Sequence, residues 1–125
     1  MSLINYIDIP KDLWLGICQT GSSVICNPPV ENTDIDFIIC AMDMAKLHTF
    51  LESNNFKLSV SDEEEYDLES EGFSCYRKDN INLIVTEDYD WYKKWVFSTV
   101  VAMKLNLLKK EDRITLFKAI LYNEI

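Results

Sequence analysis

Two aspartates, Asp34 and Asp36, stand at the head of an apolar run that ends at Cys40. A short apolar run of this kind predicts a buried strand over residues 34–40. Side chains two positions apart on a strand point to the same face, so the two carboxylates project together while Ile35 points the other way. Neighbouring carboxylates repel each other unless a cation lies between them. Because Mg²⁺ is typically held by one or two carboxylates plus substrate phosphates, Asp34 and Asp36 are candidate metal ligands.

A Gly-Ser turn, Gly21-Ser22-Ser23, lies upstream of the aspartates. Gly21 has no Cβ, so the backbone there can come close to a phosphate group. The hydroxyl and amide groups of Ser22 and Ser23 can bind phosphate oxygens. A lone Gly-Ser turn or a lone Asp-x-Asp is common, but the two together favour a site for a triphosphate.

The rest of the chain alternates between strand and helix signals. Strands are expected over 13–18, 34–40, 56–60, 73–78 and 81–86, and helices over 42–53, 89–107 and 111–123. The pair Asp79-Asn80 predicts a two-residue hairpin turn with positive φ. This order predicts an α/β (α+β) protein, with a mixed twisted sheet of four or five strands and helices mainly on one face. We expect a single domain over residues 1–125.

The stretch GSSVICNPPVENTDIDFII resembles nucleotidyltransferases of the DNA polymerase β superfamily. That family places a Gly-Ser turn after one strand and Asp-x-Asp on the next. The resemblance covers residues 15–40 and, more loosely, 73–90, and the last third looks like small phage- or prophage-encoded proteins labelled as nucleotidyltransferases. It implies the minimal polymerase β-like fold. It also implies Mg²⁺- or Mn²⁺-dependent transfer of a nucleotidyl group from an NTP to a hydroxyl of a small molecule, a protein or an RNA end.

The third acidic residue of that family is replaced in this chain. The family carries an aspartate on a later strand, beside the first two, and the matching segment INLIV has Asn82 at that position. An asparagine is neutral and cannot act as a base, although Glu87 or Asp88 could substitute from a different point on the strand. Two functions therefore stay open. One is a nucleotidyltransferase with Asp34, Asp36 and Asn82 as its catalytic residues, and the other is a catalytically degenerate binding or regulatory protein.

The charge of the chain argues against one class of partner. It has 21 Asp and Glu against 12 Lys and Arg, a net charge of −9, which repels phosphate backbones. We therefore expect a nucleoside triphosphate and a small-molecule or protein acceptor as partners, and no long nucleic acid. No segment approaches the ~20 apolar residues of a membrane span, and the N-terminus lacks a signal-peptide pattern. This predicts no membrane association and a cytoplasmic location, in a bacterial host if the protein is phage-encoded. The oligomeric state is left open.

Other chemistry-bearing residues have structural explanations. The four cysteines, Cys18, Cys26, Cys40 and Cys75, form no C-x-x-C pair, which disfavours zinc and predicts buried reduced thiols. His48 is expected to be structural or exposed. Core packing is the favoured role of Trp91, Tyr92 and Trp95, with a base-stacking platform as the alternative. The acidic run over 62–71 indicates a solvated loop or a surface for a basic partner.

Overall fold

The computed structural model describes residues 9–26, 34–59 and 73–122. Within these ranges it contains five strands: β1 Trp14–Thr20, β2 Ile35–Ala41, β3 Lys57–Ser59, β4 Phe73–Lys78 and β5 Ile81–Thr86. A 3-10 turn, Lys11–Leu13, precedes β1. The same ranges contain four helices: α1 Ser22–Ile25, α2 Met44–Ser53, α3 Tyr89–Leu105 and α4 Lys110–Tyr122.

The five strands form one mixed sheet in the order β1-β2-β5-β4-β3. The central pair, β2 and β5, is parallel, while β1 pairs with β2, β4 with β5, and β3 with β4 in antiparallel fashion. The parallel pair requires a long crossover, which α2, β3 and β4 provide. The predicted α+β class with a mixed sheet is thus confirmed.

Both faces of the sheet are covered, which explains why β2 is a continuous apolar run and does not alternate with polar residues. Phe37 belongs to a buried cluster with Leu47 and Leu51 of α2 on one face. Ile38 belongs to a second buried cluster, with Trp95 of α3, on the opposite face. This second cluster also contains residues of α1 and α4, so three of the four described helices lie on that face.

Most predicted elements are present with their bounds shifted by one to three residues, and the hairpin strands β4 and β5 match the prediction. Asp79 in the hairpin turn has a φ of 53°, as expected. The helix α1 was not predicted, because four residues are too few to reveal helical periodicity. Met103 was expected on the buried face of α3, but it is 44% exposed. The expected acidic loop at 62–71 lies outside the described residues.

The helix α3 begins and ends with recognisable caps. The side chain of Asp88 accepts a hydrogen bond from Trp91 N (3.1 Å), and Asn106 ends the helix in the left-handed conformation, with a φ of 50°. It is the longest described helix, with 17 residues. None of the helices in the described ranges is long and apolar enough to cross a membrane.

The cysteines behave as their apolar surroundings predicted. All four are free thiols, with Cys26, Cys40 and Cys75 buried and Cys18 partly buried. Burial raises the pKa of Cys18, and burial together with Asp88 and Glu87 raises that of Cys40. The raised pKa values leave the thiols of Cys18 and Cys40 protonated and poorly reactive, so these two residues act as small apolar side chains.

Candidate functional site

Two of the predicted site residues, Asp36 and Asn82, lie on one row across the sheet. Asp36 of β2 pairs with Thr20 of β1 on one side and with Asn82 of β5 on the other. Asn82 in turn pairs with Arg77 of β4. Directly paired residues point to the same face and lie about 5 Å apart between neighbouring strands. The row therefore runs in the order Thr20, Asp36, Asn82, Arg77, on the face covered by α3.

The Gly-Ser turn lies against the Asp-x-Asp strand. Gly21 has a φ of 77° and a ψ of −175°, a conformation that is essentially restricted to glycine. A Cβ built on Gly21 would overlap the carboxylate of Asp36 and lie 2.9 Å from its Cγ. The two motifs that the sequence predicted separately are therefore in direct contact, and only a glycine allows that contact.

The two serines of the turn occupy the first positions of α1. The helix starts at Ser22, and the Gly21 carbonyl accepts hydrogen bonds from the backbone N–H groups of Val24 (3.2 Å) and Ile25 (3.0 Å). The hydroxyl of Ser23 accepts a hydrogen bond from Gln19 Nε2 (3.2 Å), which fixes the turn to β1. Ser22 and Ser23, the two serines predicted to bind phosphate, thus follow Gly21 directly.

Thr20, which precedes the turn, is anchored to α3 by a buried network. Its hydroxyl accepts a hydrogen bond from the indole N–H of Trp95 (3.0 Å) and lies 2.7 Å from the hydroxyl of Thr99. The Thr99 hydroxyl donates to the carbonyl of Trp95 (2.9 Å), so Thr20 must donate the hydrogen bond to Thr99. Thr20 is 1% exposed, and its fully satisfied hydroxyl holds the end of β1 in place.

An arginine that was not predicted as a site residue also enters the site. Arg77 donates from Nη1 to Asp34 Oδ2 at 2.6 Å, and both side chains are partly exposed. The signal for Arg77 was present in the sequence, because a two-residue hairpin turn pairs Lys78 with Ile81 and therefore Arg77 with Asn82.

Asn82 occupies the place where the resemblance expected a third acid. It is 3% exposed and lies between Asp36 and Arg77 in the row. The suggested substitutes, Glu87 and Asp88, follow the opposite end of β5, and the side chain of Asp88 caps α3. They are too far along the strand to replace an acid at position 82. Among the described residues, no three His, Cys, Asp or Glu side chains come together as a metal site.

The charges and donor atoms of the site fit a divalent cation that arrives with phosphate. Asp34 and Asp36 carry −2 and Arg77 carries +1, which leaves −1, whereas an aspartate in place of Asn82 would give −2 for the same site. The available ligands are carboxylate oxygens, which suit Mg²⁺, and Mg²⁺ needs only one or two of them when phosphate oxygens complete its shell. The residues therefore fit a Mg²⁺–triphosphate complex better than a bare ion.

His48 lies on α2, on the other face of the sheet, and has a structural role there. Its Nδ1 is 2.6 Å from the hydroxyl of Tyr76, and its Nε2 is paired with Glu52. Tyr76 is 2% exposed, and burial, followed by the charge of Glu52, raises its pKa. His48 thus satisfies a buried tyrosine hydroxyl, as the structural interpretation expected.

The tryptophans of α3 belong to the core. Trp91 stacks on Phe73 with ring centroids 4.6 Å apart, and Trp95 packs edge-on against Phe117 at 5.0 Å. Both tryptophans are at least 95% buried, so neither can serve as a base-stacking platform. Tyr92 packs over Gly16, where an added Cβ would lie 2.6 Å from the ring, and burial is the main cause that raises its pKa to about 12.

Neither a family model nor a curated protein sequence matches this chain. Among solved structures, it is similar to the crystal structure of conserved protein GrpB from Enterococcus faecalis. The two chains are 14% identical, the match covers 90% of this chain and 84% of that one, and the TM-score is 0.49. A likeness of this degree carries nothing about activity.

Proposed function

We propose that the chain is a nucleotidyltransferase-type protein that binds a nucleoside triphosphate with Mg²⁺ or Mn²⁺ on the row formed by Asp36, Asn82 and Arg77. Its reaction is the transfer of a nucleotidyl group to a hydroxyl of a small molecule, a protein or an RNA end. The observation that supports this most is the contact between Gly21 and Asp36, which brings the Gly-Ser turn against one carboxylate of the Asp-x-Asp pair.

Each residue of the site has a distinct role in this proposal. The backbone at Gly21 and the hydroxyls of Ser22 and Ser23 bind the phosphates. Asp34 and Asp36 hold the divalent ion, which when bound neutralises charge on the phosphate oxygens. The buried amide of Asn82 orients the acceptor hydroxyl or a water molecule. The negative net charge favours a small-molecule or protein acceptor over long nucleic acid. We propose the cytoplasm as the location, as the sequence predicts.

The second candidate is a binding or regulatory protein that holds the nucleotide without transferring it. Asn82 favours it, because an amide beside Asp36 cannot take a proton from the attacking hydroxyl as a carboxylate could. The two candidates differ in whether pyrophosphate is released, and a Tm that no NTP shifts would favour a pure interaction role.

Binding is tested by thermal unfolding with each NTP and Mg²⁺. A ligand at 100 times its Kd adds about 2.7 kcal/mol to the free energy of unfolding, so at least one NTP should raise the Tm. The Asp36→Asn variant should lose this response, because the metal then has one carboxylate fewer. Asp90→Asn, on the exposed surface of α3, makes the same change in charge away from the site and should respond like the wild type. If Asp36→Asn also responds like the wild type, the site is misassigned.

Transfer is tested by pyrophosphate release from each labelled NTP, with a cell extract supplying acceptors. A transferase releases pyrophosphate, and Asp34→Ala and Asp36→Ala abolish the release. A binding protein shows a raised Tm with no release, and Asn82→Asp then creates activity by restoring the third carboxylate. Release that persists in both aspartate variants would contradict the proposed site.

A further inference from the structure

We infer that Arg77 makes metal binding at this site depend on the nucleotide. Paired with Asp34, the guanidinium keeps a divalent ion weakly bound in the free protein. When a triphosphate binds, the guanidinium pairs with its phosphate oxygens instead of with Asp34. The Asp34 carboxylate is then available to bind the ion. The exchange of Arg77 onto a nucleotide rests on the proposed function, whereas the weakening of metal binding by Arg77 in the nucleotide-free protein does not.

The position of Arg77 supports this role. Its Nη1 lies 2.6 Å from Oδ2 of Asp34, and Asp34 is one of the two predicted metal ligands. The backbone holds it there, because Arg77 pairs with Asn82, which pairs with Asp36, and Ile35 N donates to the Asn80 carbonyl at 2.7 Å. The chain has one other arginine, Arg113, whose Nη1 donates to the carbonyls of Leu107 (3.0 Å) and Leu108 (2.8 Å), at the end of α3.

Electrostatics gives the size and the sign of the effect of Arg77 on metal binding. A divalent ion between the carboxylates would lie beside the guanidinium, and a charge of +2 at about 5 Å from a charge of +1 is disfavoured by about tenfold even at the dielectric constant of water. The same guanidinium also occupies an oxygen of Asp34 that the ion would use. Free metal should therefore bind weakly while the ion pair is intact.

The ion pair is suited to exchange partners. The side chain of Arg77 is 32% exposed and that of Asp34 is 44% exposed, and ion pairs this accessible to solvent are weak. A guanidinium binds phosphate through two parallel hydrogen bonds, and a triphosphate carries more charge than one carboxylate. The nucleotide should therefore replace Asp34 as the partner of Arg77. By linkage, the bound nucleotide and the bound metal should each raise the affinity of the protein for the other.

The first experiment measures Mn²⁺ binding to the protein without nucleotide, by calorimetry or by the electron paramagnetic resonance of free Mn²⁺. Arg77→Gln should bind Mn²⁺ at least about tenfold more tightly than the wild type. The matched control is Lys78→Gln, which removes the same charge from the next residue of β4, where the lysine lies over the ring of Phe56. If Arg77→Gln gains no more affinity than Lys78→Gln, the inference is overturned.

The second experiment measures binding of an NTP in the presence of Mn²⁺. Arg77→Gln should bind the nucleotide about tenfold more weakly, because it loses charge-assisted hydrogen bonds to phosphate, and Arg77→Lys should lie between it and the wild type. The wild type should bind Mn²⁺ more tightly with nucleotide present, and this gain should shrink in Arg77→Gln. An undiminished gain would contradict the exchange.

The two proposals fail in different ways. If no NTP binds to the wild type, yet Arg77→Gln gains Mn²⁺ affinity, the proposed function is wrong while the effect of the ion pair on the metal holds. If NTP binds and Arg77→Gln leaves both affinities unchanged, the proposed function stands and the role of Arg77 is wrong.

Circular dichroism of each variant checks the fold, and Asp34→Asn, which breaks the ion pair from the other side without touching β4, should lower Mn²⁺ affinity.

Discussion

Replacing Gly21 by alanine should both destabilise the fold and damage the site. The φ of 77° and ψ of −175° at this residue cost a side chain of order 1–3 kcal/mol, and the added Cβ overlaps the Asp36 carboxylate. We expect the free energy of unfolding to fall by at least about 2 kcal/mol in urea titrations, from the strain and the overlap together. The rise in Tm that an NTP gives the wild type should be lost.

A double-mutant cycle with Asp36→Ala separates the two causes. Without the Asp36 carboxylate the closest overlap disappears, and the backbone strain and a 3.1 Å contact with the Cβ of residue 36 remain, so Gly21→Ala should cost less in that background. Ser22→Ala serves as the control, because it removes a hydroxyl next to Gly21 without changing the strained conformation, and it should cost less stability than Gly21→Ala. An equal cost of Gly21→Ala in both backgrounds would mean that Gly21 and Asp36 are not in contact.

Replacing Thr20 by valine should lower stability by a similar amount for a different reason. Valine has nearly the shape of threonine, but it cannot accept the hydrogen bond from Trp95 Nε1 or donate to Thr99. The indole N–H would then be buried without a partner, which costs about 1–3 kcal/mol. Urea unfolding followed by tryptophan fluorescence measures the loss.

Thr20→Ser is the matched control, since it keeps the hydroxyl and deletes only a methyl group. It should be closer to the wild type than Thr20→Val, although valine preserves the buried volume better. The reverse order of stabilities would show that packing, and not the hydrogen bonds, holds Thr20 to α3. Because Thr20 precedes Gly21 directly, Thr20→Val should also weaken nucleotide binding through the position of the turn.

The local features of the fold could be predicted from the sequence. Apolar runs bounded by Gly, Pro and Asn residues indicated the strands, and Leu47 and Leu51 at helical spacing indicated the buried face of α2. The hairpin turn fixed the register of β4 against β5, and with it the pairing of Arg77 with Asn82. Such features are predictable because each depends on residues close together in the chain.

The composition of the site was predictable in part for the same reason. Strand geometry predicts that Asp34 and Asp36 share a face, and Gly21 was singled out as a place for close backbone approach. The resemblance aligned Asn82 with the missing acid, and the structure places Asn82 beside Asp36. Whether these residues bind and transfer a nucleotide stays a prediction.

Only the tertiary structure decided which elements lie side by side. The parallel pairing of β2 with β5 joins residues 46 positions apart, and the bond from Trp95 to Thr20 spans 75 positions. The periodicity of a sequence tells which face of a strand is buried, but it does not tell which strand is its neighbour. That choice is made by packing two apolar layers on opposite faces of one sheet, and the packing brought Arg77 to Asp34 and Gly21 to Asp36.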